Sequence, residues 1–69
     1  MTEDRIRRFD EPRPVEVLHD GEWVPAMQDG WVRWPDGDWY ASVSYVLEHD
    51  WGRGRYVTSV PADEVRPVG

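Results

Sequence analysis

The sequence predicts an all-β protein: a small barrel, or tightly curled sheet, of five to six short antiparallel strands. Three observations point there. Turn punctuation recurs at Asp20-Gly21, Asp29-Gly30, Asp36-Gly37 and Gly52-Arg53-Gly54, and Asp-Gly suits tight hairpin turns because their central positions need positive φ. The runs between are rich in Val, Trp, Tyr and Thr, which fit a pleated, half-buried surface. No stretch keeps the 3.6-residue apolar period of an amphipathic helix.

Residues 1–14 read as a polar N-terminal tail and residues 15–69 as the barrel. Pro12 and Pro14, one residue apart, argue against a regular element at the tail's end, because proline fixes φ and lacks an amide hydrogen. Ile6 and Phe9 would suit one helical turn or a strap over the barrel. Strands are then expected at 15–19, 22–28, 31–34, 38–48, 55–60 and 65–68. The fourth alternates best: Trp39, Ala41, Val43, Tyr45 and Leu47 share one face, which is assigned to the core with Trp39 as a buried, structural residue. Tyr40, Ser42, Ser44 and Glu48 take the other face, and Val46 is the exception. Trp31 and Trp34 are expected on opposite faces, so at least one is exposed. Residues 20–26 echo residues 36–42, which is hairpin chemistry used twice.

Sixty-nine residues allow one domain. A domain this small buries only about 60% of its unfolded surface. It has no cysteine, so disulfides and thiolate metal sites are excluded. Five Trp, three Tyr and one Phe supply bulk instead, each removing about 150–250 Å² from water when buried. The net charge is −6. Residues 1–13 balance four acids against four arginines, so the whole excess lies in residues 14–69. An acidic body repels phosphate backbones, which disfavours nucleic acid as a partner. It favours a basic or Arg-containing segment of another protein. The N-terminal residues lack the apolar run of a secretory signal, and nothing approaches the roughly 18 apolar residues of a membrane span. The expected setting is the cytoplasm, without membrane contact. All eight basic residues are Arg, which fits GC-rich coding and a bacterial source.

No catalytic residue, metal ligand or cofactor is assigned. His19-Asp20 and His49-Asp50 read as polar flanks of glycine turns rather than as metal ligands or a base with its orienter. Ser42, Ser44 and Ser59 are ordinary strand residues. Gly52-Arg53-Gly54 is too short for a phosphate cradle and has no helix after it. The expectation is a protein that is not an enzyme.

The closing segment Val60-Pro61-Ala62-Asp63-Glu64-Val65-Arg66-Pro67-Val68 resembles that of SH3-like barrels. The resemblance implies one 3₁₀ turn before a short last strand, with Val60 and Val65 in the core. Gly21-Glu22-Trp23-Val24-Pro25-Ala26, followed by residues 39–45, resembles the Tudor and agenet branch of that architecture. Tudor domains often hold methylated Arg or Lys in a cage of aromatic rings. By that resemblance Tyr45 and Trp51 match two cage positions. The other two fall at Val24 and at residues 17–19, none of which is Phe, Tyr or Trp.

The binding surface expected on this basis comprises Tyr45, Trp51 and Tyr56 with the acids Glu48, Asp50 and Glu64. Its partner is another protein, through a basic or Arg-containing segment, and the chain itself is a monomer or weak homo-oligomer. Two alternatives stand beside it. One is a self-associating subunit joined through 15–19 or the final strand. The other is a nucleic-acid accessory module using the Arg5-Ile6-Arg7-Arg8 run and exposed rings.

Overall fold

The structure, a computed structural model, describes residues 5–68. Five strands form one antiparallel sheet: β1 (Ile6–His19), β2 (Glu22–Arg33), β3 (Trp39–His49), β4 (Gly52–Pro61) and β5 (Val65–Pro67). A 3₁₀ turn, Ala62–Glu64, precedes β5. The spatial order is β4-β3-β2-β1-β5. Successive hairpins lay down the first four strands, and β5 returns to pair with β1 at Val15, Glu16 and Val17. The all-β architecture, with five strands and a 3₁₀ turn before the last, is the one the sequence predicts.

The turns follow from local chemistry. Asp20 and Gly21 both have positive φ, 50° and 80°, as a tight two-residue hairpin turn of the primed type requires. Between β2 and β3, the Gly37 amide donates to the Trp34 carbonyl at 2.8 Å. The Asp38 amide donates to Asp36 Oδ1 at 2.9 Å. Pro35 follows Trp34, where its fixed φ suits the bend. The β3–β4 turn is Asp50-Trp51 rather than Gly52-Arg53-Gly54, since His49 already pairs with Gly52.

Two expectations change. Asp29-Gly30 is not a turn: the strands expected at 22–28 and 31–34 are one strand, β2, interrupted by a bulge. Residues 6–14 are not a tail either, because they form the first part of β1. Both corrections have the same cause. Gln28 pairs with Val43 and Gly30 with Ser42, so Asp29 is an extra residue against β3. At the same level Arg8 pairs with Gly30 but Arg13 with Gln28, so residues 9–12 are accommodated opposite Asp29 alone. Pro12 falls in this interruption, where a missing amide costs no ladder bond. Phe9 is covered there by the Arg13 guanidinium, 4.4 Å from its ring centre.

The bulge changes which side chains face inward. Before it, Ala26 and Gln28 are buried; beyond it, Trp31 packs against the core. The core is Val15, Val17, Ala26, Ala41, Val43, Tyr45 and Val60, flanked by Val24, Trp31, Leu47 and Val65. The odd face of β3 therefore points inward from Ala41 onward. Trp39 does not belong to that cluster. It is half-buried at the strand's start, with Arg7 5.2 Å over its ring.

The bulge is held by two features. Gly30 is buried, and a Cβ there would collide with the Arg7 carbonyl and come within 3.1 Å of Arg8 Cα. Gln28, 1% exposed, donates from its side-chain amide to the Gly30 carbonyl at 2.9 Å. It accepts from Arg13 at 3.5 Å. The amide thus serves a carbonyl at the ladder's break, which would be costly to bury without a donor.

Two outcomes follow. Gly30→Ala should separate the start of β1 from β2, because the obstacle is backbone and not a side chain that can swing away. Its melting point should fall by more than 10 °C, a loss of about 2 kcal/mol for a domain of this size. Gln28→Leu, of similar volume, should cost about 1–3 kcal/mol by leaving the Gly30 carbonyl without its donor. Urea titration of both variants checks this, and a Gln28→Leu protein as stable as the parent would refute the assigned role.

Candidate functional site

The end of the sheet that carries the Asp20-Gly21 and Asp50-Trp51 turns gathers five rings. Alternation along β3 turns Tyr45 inward, 9% exposed. Tyr56 lies directly opposite it on β4, and the two phenol rings stack 5.5 Å apart at 11°. His19, at the end of β1, meets Tyr45 edge-on at 5.7 Å and Tyr56 at 6.0 Å. β1 and β4 are not neighbours in the ladder. These contacts therefore record how far the sheet curls back on itself.

Hydrogen bonds order the rings. The Tyr45 hydroxyl and His19 Nδ1 are 3.3 Å apart, and His19 Nε2 lies 3.5 Å from an Asp20 carboxylate oxygen. An imidazole protonated on Nε2 satisfies both neighbours, accepting from the phenol and donating to the carboxylate. The Tyr56 hydroxyl and His49 Nε2 are 3.0 Å apart. Trp51 then stacks on His49 at 4.6 Å and 11°. Gly54 lies beneath this pair: a Cβ there would come within 3.3 Å of His49 Nε2 and of the Trp51 ring. The rings thus form a chain from the core, at Tyr45, to solvent, at Trp51, which is 73% exposed.

Of the residues expected at the site, Tyr45, Tyr56 and Trp51 are brought together. Tyr45 is mostly a core residue, while Tyr56 and Trp51 are exposed. Asp50 is exposed in the turn beside Trp51. Glu48 is exposed and pairs with Arg53 at 3.4 Å, directly across the β3–β4 ladder. Glu64 sits half-buried in the 3₁₀ turn. Among the described residues, no hydrogen bond or ion pair joins it to the rings. Sequence reasoning missed His19, His49 and Asp20 as members of the cluster. The available signal was the repeated His-Asp pair, one at each of two turns, which alternation along single strands cannot relate.

Other rings are differently disposed. Arg66 lies 4.2 Å over Trp23 and donates to Glu16 at 2.8 Å. Trp34, exposed, stacks on Tyr40 at 4.3 Å. Among the described residues no group of three or more His, Asp or Glu side chains is placed to hold a metal ion, and no helix is long and apolar enough to cross a membrane. No family model, curated protein or solved structure matches the chain.

Burial raises the Tyr45 hydroxyl above its ordinary pKa of 10.0, with further contributions from Tyr56 and the Asp20 charge. The folded protein therefore holds this proton more tightly than the unfolded chain does. The associated stability is complete below pH 10 and declines as pH rises through the folded value. Burial and the neighbouring Asp36 charge also raise Tyr40, so ultraviolet titration should show a late step shared by Tyr40 and Tyr45, which Tyr45→Phe reduces by one tyrosine and leaves otherwise in place. A titration unchanged by that substitution would contradict the assignment.

Proposed function

We propose that this chain is a non-catalytic, cytoplasmic protein-interaction module of the SH3-like kind, binding a basic or Arg-containing segment of another protein. The observation that carries the reading is Trp51, 73% exposed, held by its stack on His49 and adjacent in the turn to Asp50. Stacking and the turn restrict the indole before any partner arrives, so less side-chain freedom is lost on binding. A guanidinium or ammonium placed over the indole gains cation–π attraction. The Asp50 carboxylate and the chain's net charge of −6 steer such a group toward the surface. Tyr56 extends the contact area, and Tyr45 supports it from below. The strand order, with β5 returning to β1 after a 3₁₀ turn, supports the SH3-like assignment.

The test is fluorescence titration with Arg-rich, Lys-rich and uncharged peptides of equal length, at low and moderate salt. Arg-bearing peptides should bind and the uncharged peptide should not. Trp51→Ala should weaken binding by roughly five- to thirty-fold, corresponding to about 1–2 kcal/mol of cation–π attraction, and leave the melting point within a few degrees. Equal affinity for the parent and Trp51→Ala would remove this surface from consideration. Failure of every cationic peptide to bind at low salt would end the reading.

A further inference from the structure

The sheet has two open edges, and the chain treats them in opposite ways. Among the described residues, β5 covers β1 only at Val15, Glu16 and Val17, and no other strand pairs with the outer side of its first half. That stretch contains Arg7, Arg8, Asp10, Glu11, Pro12, Arg13 and Pro14, together with a break in the ladder. Charges, prolines and bulges are the usual devices that prevent a strand edge from pairing with another chain. β4 is the other edge. It pairs with β3 through ten consecutive residues without a break, from Gly52 to Pro61. Among the described residues, no backbone hydrogen bond joins it to any other element. Its second half, Tyr56-Val57-Thr58-Ser59-Val60, has no charge and no proline.

The exposed face of this edge is apolar as well. Val57 is 73% exposed. It lies in a cross-strand row with Ser44, Met27 and Pro14. Met27 and Val46, on the same outer face, are 43% and 53% exposed. Beside them Arg55 has no ion-pair partner among the described residues, and neither has Asp63 or Glu64.

We propose that β4 is a homotypic interface: two copies of this chain pair antiparallel along β4, centred on Val57, and continue one sheet across a two-fold axis. The charges select this occupant and this direction. Both basic residues of β4, Arg53 and Arg55, lie in its first half, and the acids Asp63 and Glu64 follow its end. Antiparallel pairing sets Arg55 opposite the partner's Ser59, and sets Arg53, which pairs with Glu48 of its own chain, opposite the partner's Pro61, two residues before Asp63. Parallel pairing would instead place each arginine beside its own counterpart, and like charges directly opposite are destabilising. The two Val57 side chains meet at the axis and extend the apolar row from one copy into the other. The edges that the sequence alone suggested for self-association do not serve. Residues 15–17 are already enclosed by β2 and β5, and β5 is three residues long and ends in proline.

A cysteine-free chain allows a direct test. Directly opposed antiparallel residues have Cα atoms about 4.5–5.5 Å apart, within disulfide reach. Val57→Cys should therefore cross-link to a dimer under mild oxidation, much faster than Val46→Cys, which is exposed on the same face but one strand in from the edge. Sedimentation equilibrium of the parent should show a concentration-dependent monomer–dimer equilibrium. Val57→Lys should shift it toward monomer by at least ten-fold, with unchanged circular dichroism. A parent monomeric to millimolar concentration, equal cross-linking of the two cysteine variants, or a dimer indifferent to Val57→Lys would each overturn the proposal. The cysteine comparison decides the matter should Val57→Lys fail to fold.

Discussion

The sheet is interrupted at one level, and that interruption depends on the absence of a single Cβ. At Gly30 the β1 backbone crosses so close that any side chain would strike the Arg7 carbonyl. Both ladders of β2 lose register there, toward β3 and toward β1. A bulge bends its strand and increases local twist, and two coincident breaks let the whole sheet turn. Gln28 completes the device by supplying a buried amide to the Gly30 carbonyl. The polar group in the core is therefore part of the backbone's own accounting, since an interrupted ladder leaves groups that need partners.

The curl has a consequence at the far end of the strands. β1 and β4 are three places apart in a five-stranded sheet, yet His19 reaches both Tyr45 and Tyr56. The two turns that carry His-Asp pairs are thereby assembled at one end of the molecule. A small domain has little apolar core to spend on a site, and here the same rings serve both needs. Tyr45 is buried and closes the core. Tyr56 stacks on it at the surface, and the chain of rings continues through His49 to an exposed Trp51. The site is thus anchored in the core without requiring an enclosed cavity.

Much of the fold was legible because its signals are local. The Asp20-Gly21 and Asp36-Gly37 turns and the inward face of β3 from Ala41 to Leu47 each depend on a few adjacent residues, while the 3₁₀ turn after Pro61 was expected from the closing segment's resemblance to SH3-like barrels. What could not be read depends on residues distant in sequence. Asp29-Gly30 carries the same dipeptide as the true turns, and only the neighbouring β1 backbone makes it a bulge. Pro12 and Pro14 argue against a strand in isolation, but a ladder break opposite Asp29 accommodates Pro12. Trp39 continues a correct alternation, yet it begins the strand where the core has ended, so Arg7 covers it instead. At the site, Tyr45, Tyr56 and Trp51 were accessible from strand and turn positions. His19 and His49 were not, because their relation arises only when the sheet curls back on itself.

The arginines connect the fold to the proposed binding chemistry. Three of them lie over rings of the chain itself: Arg7 on Trp39, Arg13 on Phe9 and Arg66 on Trp23. The last is the most complete. Arg66 sits 4.2 Å from the indole centre and 2.8 Å from the Glu16 carboxylate, so ring and acid engage one guanidinium together. An indole beside a carboxylate is therefore a pairing this chain already uses to hold an arginine. Trp51 repeats half of it, an indole with Asp50 adjacent in the turn. Among the described residues no arginine of the chain lies over it. The indole is also pre-positioned by His49 at its other face. A partner's arginine would supply the component that Arg66 supplies at Trp23, and at Trp51 it would do so from outside the molecule.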